Sequence, residues 1–356
     1  MTGKYDLYSM TEEEIQALVA ELGEPKFRAK QIFAGLYSAP SVKEITNLPK
    51  QLRERLSEIS VDTLPRVYQR LVSKLDGTVK YLFELHDGAL IESVLMKYKH
   101  GNTLCISSQV GCRMGCRFCA STIGGKERDL LPSEMLGQII AAERDSGERV
   151  SNVVMMGIGE PLDNFDNVIK FLTLVNLEGG LNIGYRHISL STSGIAPRIR
   201  ELAELAFPIT LSISLHASTD EARSSIMPIN KKWNISELLS ACVYYYGKTG
   251  RRISFEYTLI SGKNDSEEDA VSLAGLLTSA FRGTGAPIHV NLIRVNEVKE
   301  TGFKRGSAES ANHFAEILMS RGVVATVRRR LGADVNAACG QLRRSEKRES
   351  LKEDEN

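Results

Sequence analysis

The apolar residues of the first sixty positions recur at the spacing of helices. A capping-box pattern, Thr11 with Glu14, precedes the first apolar set, and Gly23 is a typical helix stop after it. A second apolar set covers 29–36, and the stretch "SVKE" at 41–44 is a third start signal. This region therefore predicts a small helical unit.

The period then shortens to that of strands. The stretches "RVYQRLVSK", "TVKYLFELH" and "LIESVLMKYK" are separated by Asp-Gly pairs at 76–77 and 87–88, which are typical turn sequences. They predict a small antiparallel meander between the helical unit and the rest of the chain.

From about residue 103 to residue 328, strand-like runs alternate with amphipathic helical stretches. The runs are "TLCIS", "NVVMMG", "HISLST", "ITLSISL", "RISFEYTLI", "IHVNLI" and "VVATVR". Most are continuous and rich in β-branched residues, as expected of strands buried on both faces. The helical stretches include 168–175, 239–246 and 270–277, the last preceded by a capping box at 266–269. Repeated βα units predict an α/β fold with a parallel sheet or barrel.

Composition narrows the class of protein. The 356 residues carry 45 Lys and Arg against 44 Asp and Glu, so any nucleic-acid binding must come from local clusters of charge. No apolar run reaches the roughly 20 residues of a membrane helix, and the N-terminus has no apolar signal core. We expect a soluble cytoplasmic protein with no membrane partner and with reduced thiols.

Half of the six cysteines lie within eight positions, in "GCRMGCRFCAS" at 111–121. Cys112, Cys116 and Cys119 follow the first strand of the βα series, at the end where α/β proteins bind ligands. Thiolates are soft ligands, so zinc and iron–sulfur clusters are the candidates. Structural zinc needs four ligands, whereas a 4Fe-4S cluster on three cysteines keeps one iron open for a small molecule. The alternatives are a zinc loop completed by a distant histidine, and three incidental thiols.

This arrangement resembles the radical S-adenosylmethionine superfamily, in which CxxxCxxC follows the first strand of a partial (β/α)6 barrel. An aromatic residue, here Phe118, precedes the third cysteine in that pattern as well. The resemblance implies a 4Fe-4S cluster on Cys112, Cys116 and Cys119, with S-adenosylmethionine at the open iron. One electron from the cluster would then cleave the sulfonium and yield a 5′-deoxyadenosyl radical.

Further motifs stand at later strand ends and near the C-terminus. They are "GIGEPLDN" at 157–164, "LSTSG" at 190–194, "SLHA" at 214–217, "MPINKK" at 227–232, "NLI" at 291–293 and "AACGQL" at 337–342. Together they resemble the RlmN/Cfr family over nearly the full chain. The likeness is to its RlmN type, which methylates C2 of adenosine in 23S ribosomal RNA, at the peptidyl transferase centre, and in some members in tRNA.

The resemblance implies four parts of the chain. Residues 1–62 would be a helical RNA-binding accessory domain, and 63–100 a β-meander connection. Residues 101–330 would form the partial (β/α)6 barrel, and 331–356 a C-terminal segment with the methyl-carrying cysteine and a charged tail.

The resemblance also implies roles for individual residues. Cys339 would take a methyl group from one S-adenosylmethionine, and a second molecule would activate that methyl for addition to C2. Cys105, which alone would be a buried thiol, matches the resolving cysteine that forms a transient disulfide with Cys339. Glu92 matches the family residue that accepts the C2 proton, and Cys105 is the other candidate for this role. Without the resemblance, an isolated glutamate on a strand would be expected to be solvated. Seven cofactor contacts are implied: Gly159, Glu160, Ser191, Ser214, Leu215, His216 and Asn296.

RNA contact requires local positive charge. Basic clusters stand at 230–232, 250–252, 303–305, 328–330 and 342–344. The family implies 23S rRNA as the RNA partner, adenosine 37 of tRNA as a second target, a flavodoxin- or ferredoxin-like electron donor, and a monomer.

Two residues depart from the RlmN pattern. Asn336 stands where a second acidic residue is expected in "DIDAACG", and Arg294 stands where many members have proline. Arginine there also occurs in the Cfr type, which methylates C8 of the same base, but that type tends to have alanine where this chain has Pro161. Taken together, the motifs favour methylation at C2 of adenine. C8 methylation is the alternative, and a zinc-stabilised RNA-binding module is the non-enzymatic one.

Overall fold

The computed structural model of the chain describes residues 5–297 and 302–335. Its N-terminal helices are α1 (Glu12–Glu21), α2 (Arg28–Ser38) and α3 (Lys50–Ile59). Thr11 and Glu14 make both hydrogen bonds of the predicted capping box, and Gly23, with a φ of 73°, follows the first helix. The first two predicted helices and the stop between them are therefore confirmed.

The third predicted helix start, at 41–44, is wrong. The chain forms only a 3₁₀ turn at Val42–Glu44, and α3 begins at Lys50, after Pro49. The Ser41 hydroxyl donates to the Glu44 carboxylate at 2.8 Å and does not accept from the backbone, so the capping box is not formed.

The predicted meander is present. It consists of β1 (Arg66–Val72), β2 (Val79–Glu84) and β3 (Leu90–Tyr98), which pair antiparallel. Gly77 and Gly88, in the Asp-Gly turns, have φ values of 71° and 81°, the left-handed conformation that glycine adopts most easily. β3 also pairs antiparallel with β4 (Gly101–Cys105), so the meander and the following strands belong to one sheet.

After β4 the chain forms a short hairpin and then a parallel series. The remaining strands are β5 (Gln109–Gly111), β6 (Lys126–Asp129), β7 (Val150–Met155), β8 (Ile188–Thr192), β9 (Thr210–Ser214), β10 (Ile253–Leu259), β11 (Ile288–Arg294) and β12 (Val324–Val327). The large sheet has the order β1-β2-β3-β4-β7-β8-β9-β10-β11-β12, and it is parallel from β4 onwards. The hairpin β5–β6 is separate, and its strands are too short for periodicity to reveal.

A helix lies in every connection between consecutive parallel strands. These helices are α4 (Pro132–Ser146), α5 (Phe165–Asn176), α6 (Ala196–Glu204), α7 (Asp220–Ile226), α8 (Ile235–Thr249), α9 (Glu267–Ala280) and α10 (Ala308–Ser320). The capping box predicted before α9 is confirmed by Ser266 and Asp269. The result is six βα units, the predicted α/β fold with a partial (β/α)6 barrel behind an N-terminal helical unit. No helix in the described ranges is both long and apolar enough to cross a membrane.

Strand β10 shows how the sheet separates core from site. All seven of its residues are buried, with Ile253, Phe255 and Tyr257 alternating with polar residues. Because side chains alternate across a strand, the apolar face packs in the core while Glu256 and Thr258 line a cleft inside the barrel. The domain boundaries at residues 62, 100 and 330 remain predictions.

Candidate active site

The three clustered cysteines lie on the loop between β5 and β6. The loop is folded on itself, because the Cys112 N–H donates to the Gly125 carbonyl and the Cys119 N–H donates to the Cys116 carbonyl, both at 3.0 Å. Gly111 has a φ of 79°, and a Cβ there would lie 2.0 Å from the Gly125 oxygen. Only glycine therefore lets the loop close in this way.

The surroundings of these thiols fit a metal cluster. Burial raises the pKa of Cys112 to about 12 and that of Cys116 well above its ordinary value, with neighbouring thiols acting in the same direction. Three neighbouring thiolates, two of them buried and Cys119 partly exposed, therefore need a positive partner, and soft metals provide one. Among the described residues, no three His, Cys, Asp or Glu side chains converge as a single ion requires. In a 4Fe-4S cluster each cysteine binds a different iron, so the sulfur atoms need not converge on one point.

Asp163 ties the cysteine loop to the next βα unit. Its carboxylate accepts from Gln109 Nε2 on β5 and from Lys126 Nζ on β6, both at 3.0 Å. It also pairs with Arg113, which stands between the first two cysteines. Asp163 of the "GIGEPLDN" motif therefore holds the cysteine loop and its two flanking strands in place. The sequence analysis missed this role.

Glu160, in the same motif, accepts a backbone hydrogen bond at each of its two carboxylate oxygens. Its Oε1 accepts from the Leu162 N–H at 3.1 Å and its Oε2 from the Ser193 N–H at 2.6 Å. Burial raises the pKa of Glu160, while these hydrogen bonds act in the opposite direction. The carboxylate is thus held in place at the cleft wall by backbone donors.

The glycines on either side of Ile158 allow close packing against a neighbouring segment of the chain. A Cβ on Gly157 would lie 2.5 Å from the Ile106 carbonyl oxygen, and one on Gly159 would lie 2.7 Å from the Gln109 nitrogen. These contacts are with the segment that follows β4, and so the glycines let two strand ends pack together.

Six of the seven predicted cofactor contacts line the cleft: Gly159, Glu160, Ser191, Ser214, His216 and Asn296. Leu215 is the exception, because its side chain is buried in the apolar core. Successive residues of an extended segment point to opposite faces, so Ser214 faces the cleft and Leu215 does not. The predicted contact at Leu215 would therefore have to come from its backbone, and it stays a prediction.

His216 is a neutral hydrogen-bond donor at the cleft. Its Nδ1 accepts from the Thr258 N–H at 2.9 Å, which leaves Nε2 as the N–H. Burial lowers the pKa of His216 to about 3, so the ring stays uncharged at neutral pH. The Phe118 ring packs edge-on against it, with centroids 4.9 Å apart. This contact joins the cysteine loop to the end of β9.

Glu92 and Cys105 face the same cleft from β3 and β4. Glu92 is buried, and its Oε2 lies 3.2 Å from Nζ of Lys80, also buried, on β2. The expectation of a solvated glutamate is therefore wrong. Cys105 is partly exposed to the cleft, and burial raises its pKa to about 11 although the positive charge of Arg328 acts against this.

Arg223 is a buried positioning residue that the sequence analysis missed. It donates to the carbonyls of Leu215 (3.0 Å), Ser193 (2.6 Å) and Ser214 (3.0 Å), and to Asn230 Oδ1 (2.9 Å). Burial lowers its pKa to about 10, so it remains charged at neutral pH. It holds the ends of β8 and β9 together beneath the cleft, and Asn230, from "MPINKK", holds it in turn.

The cleft has a volume of about 370 Å³, enough for a small ligand. Of the predicted basic clusters, only Arg305 and the run 328–330 line it, together with Arg294. The clusters at 230–232 and 250–252 lie elsewhere on the described surface. Cys339 and the basic run 342–344 lie outside the described residues.

Family comparisons agree with this geometry. Residues 106–274 match the family model of the radical SAM superfamily. Residues 5–61 match the model described as the ribosomal RNA large subunit methyltransferase N-terminal domain. The fold and the cysteine loop thus define a radical S-adenosylmethionine enzyme, which uses a 4Fe-4S cluster and S-adenosylmethionine. This class excludes the zinc-stabilised binding module.

Comparison with full-length relatives identifies the family to which the chain belongs within this class of enzymes. The chain is 53% identical over 342 residues to the "Probable dual-specificity RNA methyltransferase RlmN" of Alkaliphilus oremlandii, covering 96% of this chain and 98% of the relative. A protein of the same name from Clostridium botulinum is 54% identical, with 96% of each chain covered. The crystal structure of a radical SAM methyltransferase from Sphaerobacter thermophilus superposes with a TM-score of 0.89 at 43% identity, covering 94% of this chain and 98% of that one. The chain belongs to the RlmN family of radical S-adenosylmethionine RNA methyltransferases.

Proposed function

We propose that the chain methylates C2 of adenosine in 23S rRNA and adenosine 37 in tRNA, using Cys339 as the methyl carrier and two S-adenosylmethionine molecules. The observation that carries this proposal is a single cleft lined by the cysteine loop, Glu92 and Cys105. The names of the relatives, which call them dual-specificity RNA methyltransferases, support two RNA substrates.

Adenine C2 is electron-poor, so direct attack on a methyl sulfonium is not available to it. The bound cluster and S-adenosylmethionine supply one-electron chemistry that makes a carbon-centred radical accessible at the methyl group on Cys339. The residues of the chain have three tasks around this chemistry. They carry the methyl group, accept the C2 proton and free the product from the protein.

We assign Glu92 as the acceptor of the C2 proton and Cys105 as the resolving thiol. Glu92 stands at the cleft wall in an ion pair with Lys80 at 3.2 Å, whereas burial raises the pKa of the Cys105 thiol, which makes Cys105 the poorer proton acceptor. After addition to C2, the one unpaired electron would return to the bound cluster, and Glu92 takes the C2 proton. For product release, Cys105 gives up its proton as its sulfur attacks the Cys339 sulfur, and a disulfide forms. The carbon–sulfur electron pair leaves with the former methylene carbon, which takes up a proton, and an external dithiol then reduces the disulfide.

The target base has to be unpaired or flipped to enter a cleft of this size. We further propose a monomer that acts in the cytoplasm, where its RNA substrates are, and that receives electrons from a flavodoxin- or ferredoxin-like protein.

The test is nucleoside mass spectrometry on 23S rRNA and tRNA from a deletion strain. The proposal expects 2-methyladenosine to be absent from both RNAs and to return on expression of the wild-type gene but not of Cys339→Ala. Retention of 2-methyladenosine in the deletion strain would contradict the proposal. Appearance of 8-methyladenosine on overexpression would establish the C8 alternative, in which Arg294 would take part.

A further inference from the structure

We propose that five arginines around the cleft form a phosphate-binding rim that grips the RNA backbone on either side of the target nucleotide. The arginine rim consists of Arg294, Arg305, Arg328, Arg329 and Arg330. The proposal rests on the proposed function of the cleft as the site of RNA methylation and adds the part of the substrate that is bound there.

The rim is assembled from three separate segments of the chain. Arg294 ends β11, Arg305 lies in the segment before α10, and the other three follow β12. All five line the same cleft as the cysteine loop. Arg328 also acts electrostatically on Cys105 and on Glu256, so the rim is continuous with the interior of the site.

The rim carries more positive charge than the carboxylates around it can balance, because only three in the described part of the chain act electrostatically on its five arginines: Glu297 on Arg305, Glu309 on Arg294 and Glu256 on Arg328. Among the described residues, no ion pair joins a rim side chain to a carboxylate. Arg305 instead donates to the Val295 carbonyl at 3.0 Å and to Asn296 Oδ1 at 3.2 Å. Burial lowers the pKa of Arg305 the most, and the positive charges of Arg330 and Arg294 lower it further. Such mutual repulsion is relieved when an anion binds.

The three carboxylates that line the cleft are held mainly by groups outside the rim, although Arg328 also acts on Glu256. Glu92 is paired with Lys80, Glu160 accepts from backbone N–H groups, and Glu256 accepts from Asn291 Nδ2 at 2.7 Å. The single carboxylate of S-adenosylmethionine is also too little charge for five arginines. A polyanion meets this need, and the guanidinium fork matches the oxygens of a phosphodiester.

RNA phosphates suit this position better than an acidic protein. A base that enters the cleft leaves its own phosphates at the cleft mouth, and flipping requires the backbone to be held on both sides. Because the rim contacts phosphates and not base edges, it adds affinity without sequence preference. It therefore suits an enzyme that has to accept two different RNAs.

The test compares arginines at the two ends of β12. Arg328 follows the strand at the cleft, and Arg321 precedes it at the opposite end, exposed to solvent. Holoenzyme variants Arg294→Gln, Arg328→Gln and Arg321→Gln are titrated with a fluorescent RNA hairpin that has one unpaired adenosine, over a series of KCl concentrations. We expect each rim variant to raise Kd about threefold to tenfold and to reduce the slope of log K against log[KCl] by about one. Arg321→Gln should change neither value. Arg294→Lys, which keeps the charge, should keep the wild-type slope.

Unchanged slopes in both rim variants, with normal far-ultraviolet circular dichroism, would overturn the proposal. It would also be overturned if RNA binding stayed normal while the rate fell with reduced flavodoxin but not with dithionite, because the rim would then bind an acidic electron carrier. If the wild-type protein bound RNA through the rim but formed no methylated adenosine, the proposed function would be wrong, whereas the proposal of a phosphate-binding rim would still hold.

Discussion

Nζ of Lys80 lies 3.2 Å from Oε2 of Glu92, and the two side chains are 0% and 2% exposed. They stand on the neighbouring antiparallel strands β2 and β3, where Lys80 is in register with Val94 and Leu82 with Glu92. The pair thus places a carboxylate with a buried lysine partner at the wall of the cleft, beside Cys105.

We expect Lys80→Met to lower both stability and methylation. Removal of one partner leaves a buried charge, so the free energy of unfolding should fall by about 3–5 kcal/mol. Methylation, measured as 2-methyladenosine formed per minute at a temperature where the variant is folded, should fall about a hundredfold, the lower end of what a general base contributes.

The double variant Lys80→Met with Glu92→Met is the control for this prediction. An apolar pair of similar volume should recover most of the stability in urea unfolding without recovering methylation. If Lys80→Met is folded and methylates at the wild-type rate, the pair has only a structural role.

A comparison of two buried cysteines tests the metal site. Cys116 lines the cleft, whereas Cys242 packs in the apolar core on α8. In anaerobically purified protein, Cys116→Ser should lower iron and sulfide from about four per chain to below about one, since the cluster loses one of its three protein ligands. Cys242→Ser should leave the iron content unchanged. Equal iron loss in the two variants would mean that unfolding, and not ligation, is being measured.

Replacement of Arg223 should loosen the cofactor side of the cleft. Arg223→Met leaves the carbonyls of Ser193, Leu215 and Ser214 without this donor. We expect a loss of at least about 3 kcal/mol in the free energy of unfolding, since hydrogen bonds to a charged group contribute roughly 1.5–3 kcal/mol each. The Kd for S-adenosylmethionine, measured by equilibrium dialysis, should rise at least about tenfold. An unchanged Kd in folded protein would show that these strand ends do not depend on Arg223.

The sequence revealed those parts of the fold in which several residues repeat one pattern. Strands β7–β12 were predictable because each connection carries an amphipathic helix and each strand an apolar run. The hairpin β5–β6 was missed because three- and four-residue strands have no measurable period. At 41–44 the residues of a capping box are present, but Ser41 bonds to the Glu44 side chain.

The site was predictable where chemistry depends on residue type and spacing, as with the three cysteines. It was not predictable where a role depends on burial. Glu92 reads as an ordinary strand glutamate until Lys80 is placed beside it, and Arg223 reads as a surface residue of "DEARSSI". Both are charged groups whose partners are set only by tertiary structure.

The segment that leads to Cys339 is anchored on the β1–β2 turn. Ser73 Oγ donates to Asp334 Oδ1 at 2.6 Å, the Lys74 N–H donates to Asp334 Oδ2 at 2.8 Å, and the Gly332 N–H donates to Asp76 Oδ2 at 2.9 Å. Asp334 precedes Cys339 by five positions in the sequence, so these bonds fix the start of the segment that carries the cysteine. We expect Asp334→Ala to lower methylation about tenfold with unchanged iron content, and Ser73→Ala to lower it less, because it removes one bond.

The anchor also has a defined pH dependence. The hydrogen bond from Ser73 holds the pKa of Asp334 below its ordinary value. The contact therefore contributes fully above the ordinary carboxyl pKa of about 4 and is lost as the pH falls through the lower folded value. The ratio of wild-type to Asp334→Ala rates should thus be constant between pH 6 and pH 8. A ratio that changes in this range would show that another group titrates at the anchor.

The last prediction separates the two cysteines assigned to opposite ends of the reaction. Cys339→Ala should abolish methylation, because nothing carries the methyl group, while iron and sulfide stay at wild-type levels. Cys105→Ala should allow methyl transfer to Cys339 and addition to RNA but not release, because no thiol can attack the Cys339 sulfur. A covalent protein–RNA adduct should therefore accumulate, and it should run as a shifted band that ribonuclease removes and dithiothreitol does not, since the linkage is a thioether. If Cys105→Ala turns over at the wild-type rate without an adduct, Cys105 does not resolve the intermediate, and the partly exposed thiol beside Glu92 is only part of the cleft wall.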